Sequence, residues 1–410
     1  MRSGTVVALV LAAAAAGVAA WVVTRGEHAS GTAADARPAT LFPQLKDHVN
    51  DVASITVKRG ADEFTIQRTA AAWDLKEKSG YPVRYEAVKG IVVGLSDVRL
   101  VEPKTTRPES YSKIGVQDPD GKAPAVPETA PDPDTPIPTT PTLLTLMDDK
   151  GAVLASVIVG AQKWGQTPQV YLRKAGDAQS WLADGRIDVP SDAMGWLDRQ
   201  FLNIPRERIK SAIVTHPDGV TLTVSRQSAL DTTFTVQNIP AGRELSSPTS
   251  GDSLGNALSY LSMDDVKPAA DAGFTDSGLA AGVETGPTAV FTFLDGTTIS
   301  VHTAKKNGKT WARFAVTYQA QPVLAAPPDA SKPEARPASD DRKPEDVQKE
   351  ATDLNTRLAP WAFSIPDYKT KALFPKMDDL LKPLPTPAPA PAPETAPPQP
   401  APSPTPPSTP

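Results

Sequence analysis

Ser54 to Leu75 reads SITVKRGADEFTIQRTAAAWDL, with apolar and polar positions alternating on either side of Arg59-Gly60. That period of two is the mark of half-buried strands joined by a turn. Ala212 to Val236, AIVTHPDGVTLTVSRQSALDTTFTV, has the same pattern around Asp218-Gly219. At one constant offset, Ile55, Phe64, Ile66 and Arg68 fall on Ile213, Leu222, Val224 and Arg226. Each stretch closes on an aromatic residue, Trp73 or Phe234, expected to pack on its sheet. The period then changes. Val88, Ile91, Val92 and Leu95 are spaced i, i+3, i+4, i+7, as are Leu254, Ala257, Leu258 and Leu261. This spacing lines one face of a helix.

Strands follow in both halves. LLTLMDDKGAVLASVIVG (143–160) and VFTFLDGTTISVHTA (290–304) read as hairpins around Asp-Lys-Gly and Asp-Gly turns. Each leads to an aromatic–x–Arg strand, Tyr171-Leu172-Arg173 and Trp311-Ala312-Arg313. Asn203-Ile204-Pro205 recurs as Ser364-Ile365-Pro366, and Leu41-Phe42-Pro43 as Leu373-Phe374-Pro375. Internal repetition of this kind marks a repeated supersecondary unit. The pattern predicts an α+β fold of two tandem related units, each an antiparallel sheet with packed helices.

The expected units are 41–190 and 211–382, joined by a connecting helix over 191–210. That joint lies in SWLADGRIDVPSDAMGWLDRQFLNIPRERI, whose aromatic and charged residues first suggest a catalytic site. Ser191 fits an N-cap and Asp192 the first turn. Met194, Leu197 and Phe201 then share a helical face beside Trp196, and Pro205 ends the helix.

Composition adds three segments that cannot form core. Of the 44 prolines, many fall in an acidic loop over 117–141 and a disordered tail over 383–410, and residues 320–350 read as a polar linker. At the other end, TVVALVLAAAAAGVAAWVV (5–23) carries no charge, lies between Arg2 and Arg25, and is long enough to cross a bilayer. Residues 1–25 read as a transmembrane anchor or a cleaved signal. Trp21, placed near a membrane–water boundary, favours the anchor. Both readings put the bulk of the chain on the extracytoplasmic, periplasmic side of a bacterial inner membrane, and the anchor reading gives a single pass.

The net charge of −5 gives no case for nucleic acid. The absence of cysteine excludes disulfides, thiolate metal sites and cysteine nucleophiles. No nucleophile elbow, HExxH or phosphate loop occurs. The four histidines include His216, in a turn, and His302, in a strand. A histidine-based site would have to be assembled from distant residues. Asp148-Asp149 reads as hairpin-turn chemistry rather than a metal pair. Trp164, Tyr171 and Trp181 could form a sugar platform, but Trp181 reads as core, which leaves Trp164 as the candidate exposed contact. Arg206, Glu207 and Arg208 read as a solvated charge run, with Arg206 and Arg208 as candidate interaction residues. No catalytic, cofactor-binding or metal-ligating residue is expected, and no cofactor.

Several of these segments, LFPQL, SITVKRG, AAWDLKEKSGYPVRYEAVKGIVVGLSDVRLVEP, YSKIGVQDP and WLADGRIDVPSDAMGWLDRQFLNIPRERI, resemble a bacterial family catalogued as domain of unknown function 4340. The resemblance runs from about Leu41 to Pro268. It implies a membrane-anchored extracytoplasmic protein, some members being associated with ABC-type transport systems of the gliding-motility kind. It carries over no functional residue. The expected role is a non-enzymatic, membrane-tethered scaffold or accessory subunit, held by residues 5–23 and working with an ABC-type permease or cell-envelope complex. The alternatives are an envelope glycan or polymer binding module and a hydrolase with a dispersed histidine-based site.

Overall fold

A computed structural model describes residues 39–70, 72–119, 139–164, 166–226, 231–276, 278–320 and 342–383. The anchor or signal expected at the N-terminus, most of the acidic loop and nearly all of the tail lie outside them. Among the described residues no helix is long and apolar enough to cross a membrane.

The alternating stretches form the strands they predict. Ser54–Arg59 (β1), Asp62–Arg68 (β2), Trp73–Leu75 (β3) and Tyr81–Pro82 (β4) make a meander, followed by helix Tyr85–Asp97 (α1). Arg99–Pro103 (β5), Thr142–Met147 (β6), Val153–Lys163 (β7), Gln169–Lys174 (β8) and Ser180–Asp184 (β9) complete the first sheet. Gln200–Leu202 (β10) leads into Ile209–Thr215 (β11), Thr221–Ser225 (β12), Thr235–Val236 (β13), the short helix Asp252–Gly255 (α2), Leu261–Ser262 (β14) and Asp265–Pro268 (β15). Phe274–Thr275 (β16) and Gly278–Leu279 (β17) form a small hairpin. Glu284–Phe293 (β18), Thr297–Lys306 (β19) and Lys309–Tyr318 (β20) then precede Pro344–Leu358 (α3), Trp361–Ser364 (β21), Asp367–Leu373 (α4) and Met377–Leu380 (α5).

The fold is α+β and mostly antiparallel sheet. The first sheet runs β4-β3-β2-β1-β6-β7-β8-β9-β5 and the second β13-β12-β11-β18-β19-β20-β21-β15. Apart from the extra edge strand β4, the two orders are the same path through the chain. Hydrogen bonds repeat with the topology. The Arg68 guanidinium donates to the Asn50 carbonyl, and Arg226 donates to that of Glu207, in each case tying the approach to the first long strand. Arg173 donates to the Asp177 carbonyl and Arg313 to that of Ala359, bracing the passage into β9 and β21.

Register corrects part of the repeat. Ile55 pairs with Ile66, but Val224 pairs with Ala212, so the counterpart of Ile55 is Ala212 rather than Ile213. Four residues separate Lys58 from Glu63 and five separate Thr215 from Thr221, which shifts β11 by one position. A one-residue shift changes face. Ala212 is accordingly buried and Ile213 exposed.

The helix of the first unit is as predicted, with Val88, Ile91, Val92 and Leu95 all buried. The second is not. Leu254, Ala257, Leu258 and Leu261 are buried, yet only Asp252–Gly255 is helical and Leu261 lies in β14. Glycine at 255 is a poor helix former, and it is required there. A Cβ would come within 2.3 Å of the Phe234 ring. The four apolar residues fill the core from a turn instead of a stripe.

The connecting helix over 191–210 is also absent. Asp192, not Ser191, caps a 3₁₀ turn, Ala193–Trp196, by accepting from the Gly195 N–H. The chain then becomes β10, paired with β14, and a second short turn at Arg206–Arg208. Trp196 and Phe201 are buried on partners in different units, a spread that one helical face cannot provide. The first unit closes at this turn. Val83 bridges Leu197 just as Leu245 bridges Leu381, so the turn 193–196 corresponds to α5. The Ser364-Ile365-Pro366 match fails for the same reason, because Ser364 belongs to β21, the counterpart of β9.

The polar linker over 320–350 ends early, in α3. Pro344 starts that helix, Glu345 and Asp346 lie in its first turn, and Val347, Ala351 and Leu358 are its buried stripe.

One continuous core holds residues of both sheets, from Ile55 and Leu146 to Phe314 and Phe363. Two smaller clusters cover the outer faces. Tyr111 and Val116 cap one around Ile158 and Tyr171, and Ala272 and Phe274 cap the other around Trp311 and Ala362.

Candidate functional site

The joint places aromatic side chains between the units. Phe201 stacks on Phe363 with ring centroids 4.0 Å apart and planes 1° from parallel, and meets Phe314 edge-on at 5.4 Å. Tyr81, on the outermost strand of the first sheet, stands edge-on to Trp361 at 4.9 Å and to Phe363 at 6.2 Å. Lys78 beside it makes a 2.5 Å ion pair with Asp265 on β15. Apolar and aromatic contacts of this kind fix two bodies in one relation.

Behind the joint a groove of about 580 Å³ opens. Leu202, Asn203 and Ile204 line one side, and Asp346, Lys349, Glu350, Asp353, Leu354 and Arg357 of α3 line the other, with Arg208 also contributing. Arg208 is held by Glu350 at 2.8 Å and Asp295 at 3.1 Å. Arg342 bonds the same two carboxylates. Asp295 is the buried centre of this network, its side chain only 4% exposed. Burial opposes its ionisation. The Thr297 N–H, 2.8 Å away, and Arg208 outweigh that and hold its carboxyl below the ordinary range.

Of the candidate interaction residues, the structure brings only Arg208 into the groove. Arg206 instead donates to the Thr232 carbonyl, pairs with Asp252 at 3.4 Å and lies over the Phe234 ring. Both arginines are mostly covered, which corrects the reading of a solvated run. A contact partner for each lies far along the chain, where a local pattern cannot register it. Trp164 is elsewhere, 69% exposed after β7, with the Arg186 guanidinium 5.1 Å from its ring centroid. Tyr171 is buried and Trp181 half-buried.

Asp148 accepts from the Lys150 and Ala152 N–H groups, so it is a turn residue. His216 is buried with Nε2 3.2 Å from the Pro375 carbonyl, and His302 is exposed on β19. Among the described residues no group of three metal-ligating side chains comes together. Residues here that the sequence did not flag include Lys349 and Glu350 in the groove and, outside its lining, Asp295, which holds Arg208. Two of them lie in α3, inside the stretch whose proline and polar content predicts a linker, and Asp295 sits before Gly296, where an aspartate is expected in a turn.

Tyr81 supplies a pH test of the interface. Burial, then the nearby Asp198 charge, push its phenol up to about 12, while Arg357 pulls the other way. A raised folded-state pKa contributes stability that is complete below the unfolded value and is lost as pH rises to the folded one. Stability is therefore expected to fall between pH about 10 and about 12 by on the order of 2–3 kcal/mol. Urea titrations across that window check this. Tyr81→Phe should remove the slope, and an unchanged slope would contradict it.

The class defined by these features is a two-sheet α+β protein with a polar groove at the joint of two like units. The chain belongs to the family described as Domain of unknown function (DUF4340), whose model matches residues 73–281. That match begins at β3 and ends in the second unit after β17, so it spans the joint. No curated protein and no solved structure matches the chain.

Proposed function

We propose that the protein is a non-enzymatic scaffold or accessory subunit, tethered to the bacterial inner membrane by residues 5–23 with its bulk on the periplasmic side. It works with an ABC-type permease or a cell-envelope complex. The groove carries this reading. Its lining mixes acids, bases and the partly exposed Leu354, with Asp346, Lys349, Asp353 and Arg357 on one helix, above Leu202 and Ile204, which are themselves buried. Mixed surfaces of this kind suit a protein segment, where polar groups set register and apolar ones contribute area.

The test is in-cell photocrosslinking from a probe amino acid at Lys349, with captured proteins identified by mass spectrometry. A permease or envelope-complex subunit is expected. Recovery of no such subunit from this position would overturn the scaffold reading.

A second reading rests on Trp164 and Arg186. An exposed indole beside a guanidinium matches a contact for an envelope glycan or polymer. Trp164→Ala should then abolish co-sedimentation with isolated envelope polymer, and undiminished binding would dismiss it.

A further inference from the structure

Strands β19 and β20, ten residues each, pair along their whole length and meet in the run Lys305-Lys306-Asn307-Gly308-Lys309. Asn307 and Gly308 both have positive φ, 54° and 75°. That is the backbone of a two-residue hairpin turn, and Asn-Gly is the pair that adopts it most readily. A tight turn at the end of a long hairpin therefore fixes three lysines at one tip. The register sets Lys306 directly opposite Lys309. Like charges facing each other across a ladder destabilise it, so the stability of the hairpin does not account for them.

Other lysines join the tip. Lys267 on β15 places Nζ 3.8 Å from the Trp311 ring centroid. Burial, then the Lys306 charge, hold its ammonium below the ordinary lysine range. Lys309 adds to this, and Asp265 and Asp271 act against it. Lys78 and Lys309 share Asp265, at 2.5 and 3.7 Å. Lys305 pairs with Glu284 at 3.6 Å, and Lys306 donates to the Asp271 carbonyl at 2.8 Å. Five lysines thus gather around three carboxylates, on a chain whose net charge is −5. The side chains of Lys305 and Lys309 are 56% and 60% exposed. Ion pairs this open to water are weak, which leaves both ammonium groups able to turn to an outside anion.

We infer that this lysine patch rests on the anionic headgroups of the membrane that holds the chain. The inference takes the tether at residues 5–23 from the proposed function and adds a second point of contact. Fifteen residues, 24–38, separate the apolar run from the described body. Extended, they span about 50 Å. The eleven residues of β7, the longest strand, cover only about 36 Å. The tether is therefore long enough for the body to lie along its own membrane. Each lysine near an anionic surface adds roughly fivefold to the time spent there, and salt screens the attraction. The tether keeps the patch beside such a surface at all times, which favours lipid over a free polyanion. Two contacts, anchor and patch, would fix how the groove is presented to a membrane complex.

The test is amine acylation of the native full-length chain in vesicles, read lysine by lysine by mass spectrometry. An alkaline carbonate wash comes first. Release from the vesicles would remove the tether reading and this inference with it. With the chain retained, phosphatidylcholine vesicles are compared with vesicles containing about a third phosphatidylglycerol. The anionic lipid should slow acylation of Lys305, Lys306 and Lys309 by roughly fivefold or more. The exposed Lys89 and Lys113 serve as references and should not change. Salt at about 0.5 M should abolish the protection. In the Lys305→Glu, Lys309→Glu double variant, Lys306 should react equally in both lipids. Equal rates in the two lipids for the native chain would overturn the inference and leave the tether standing. Protection by a soluble polyphosphate but not by phosphatidylglycerol would also overturn it, and would assign the patch to an anionic polymer.

Discussion

Phe201→Ala is expected to lower the unfolding free energy by about 3–5 kcal/mol, the range for truncating a buried phenylalanine. The cost falls at one place. Phe201 is the joint's contribution to a three-ring cluster with Phe314 and Phe363, and it is buried. Its removal leaves a cavity at the joint, over Phe314 and Phe363 of the second sheet. Urea unfolding followed by far-ultraviolet circular dichroism should therefore show a lower midpoint and a broadened or split transition. A loss below about 1 kcal/mol would mean that the stack does not hold the units together.

Asp295→Ala is the second large effect. The carboxylate lies between Arg208 and Arg342, accepts from Thr297 N–H, and is almost wholly covered. Its loss leaves two cations facing each other, with Glu350 as their remaining shared acid. Breaking a buried pair costs roughly 3–5 kcal/mol, and the partial solvent access of both arginines puts the expectation at the lower end, about 3 kcal/mol. The sign with pH follows from the depressed folded-state pKa. Its contribution is present above the unfolded value, about 3.9 for aspartate, and is lost as pH falls through the lower folded one. Wild type should lose that increment only below pH about 4. Asp295→Ala should already lack it at pH 7, with a flatter acid limb. Equal stability of the two at pH 7 would contradict the network.

The sequence made the sheet and α1 legible because each follows a period set by local geometry. Val88, Ile91, Val92 and Leu95 could be read as one face without knowing what they met. The repeat was legible for the same reason, through the aromatic–x–Arg strands and the Arg68 and Arg226 positions. Three features were hidden. The one-residue insertion in the β11–β12 turn placed Ile213 where Ala212 belongs, since a constant offset cannot reveal an insertion in a turn. The four apolar residues 254–261 have helical spacing but are buried from a turn, because close packing on Phe234 requires Gly255. In the groove, Arg208 meets Asp295 and Glu350 from far along the chain, and the helix that supplies Glu350 follows a proline-containing polar stretch. Adjacent charges look solvated when their partners are non-local.

Two like units share one core and so should behave as one body presenting the groove. Native-state hydrogen exchange measures this directly, by comparing the opening free energies of β1–β2 amides in the first unit with those of β18–β20 amides in the second. One shared value for the slowest amides of both sheets, falling in both with Phe201→Ala, is the expected result. Two different limiting values, with the substitution lowering only one of them, would contradict it.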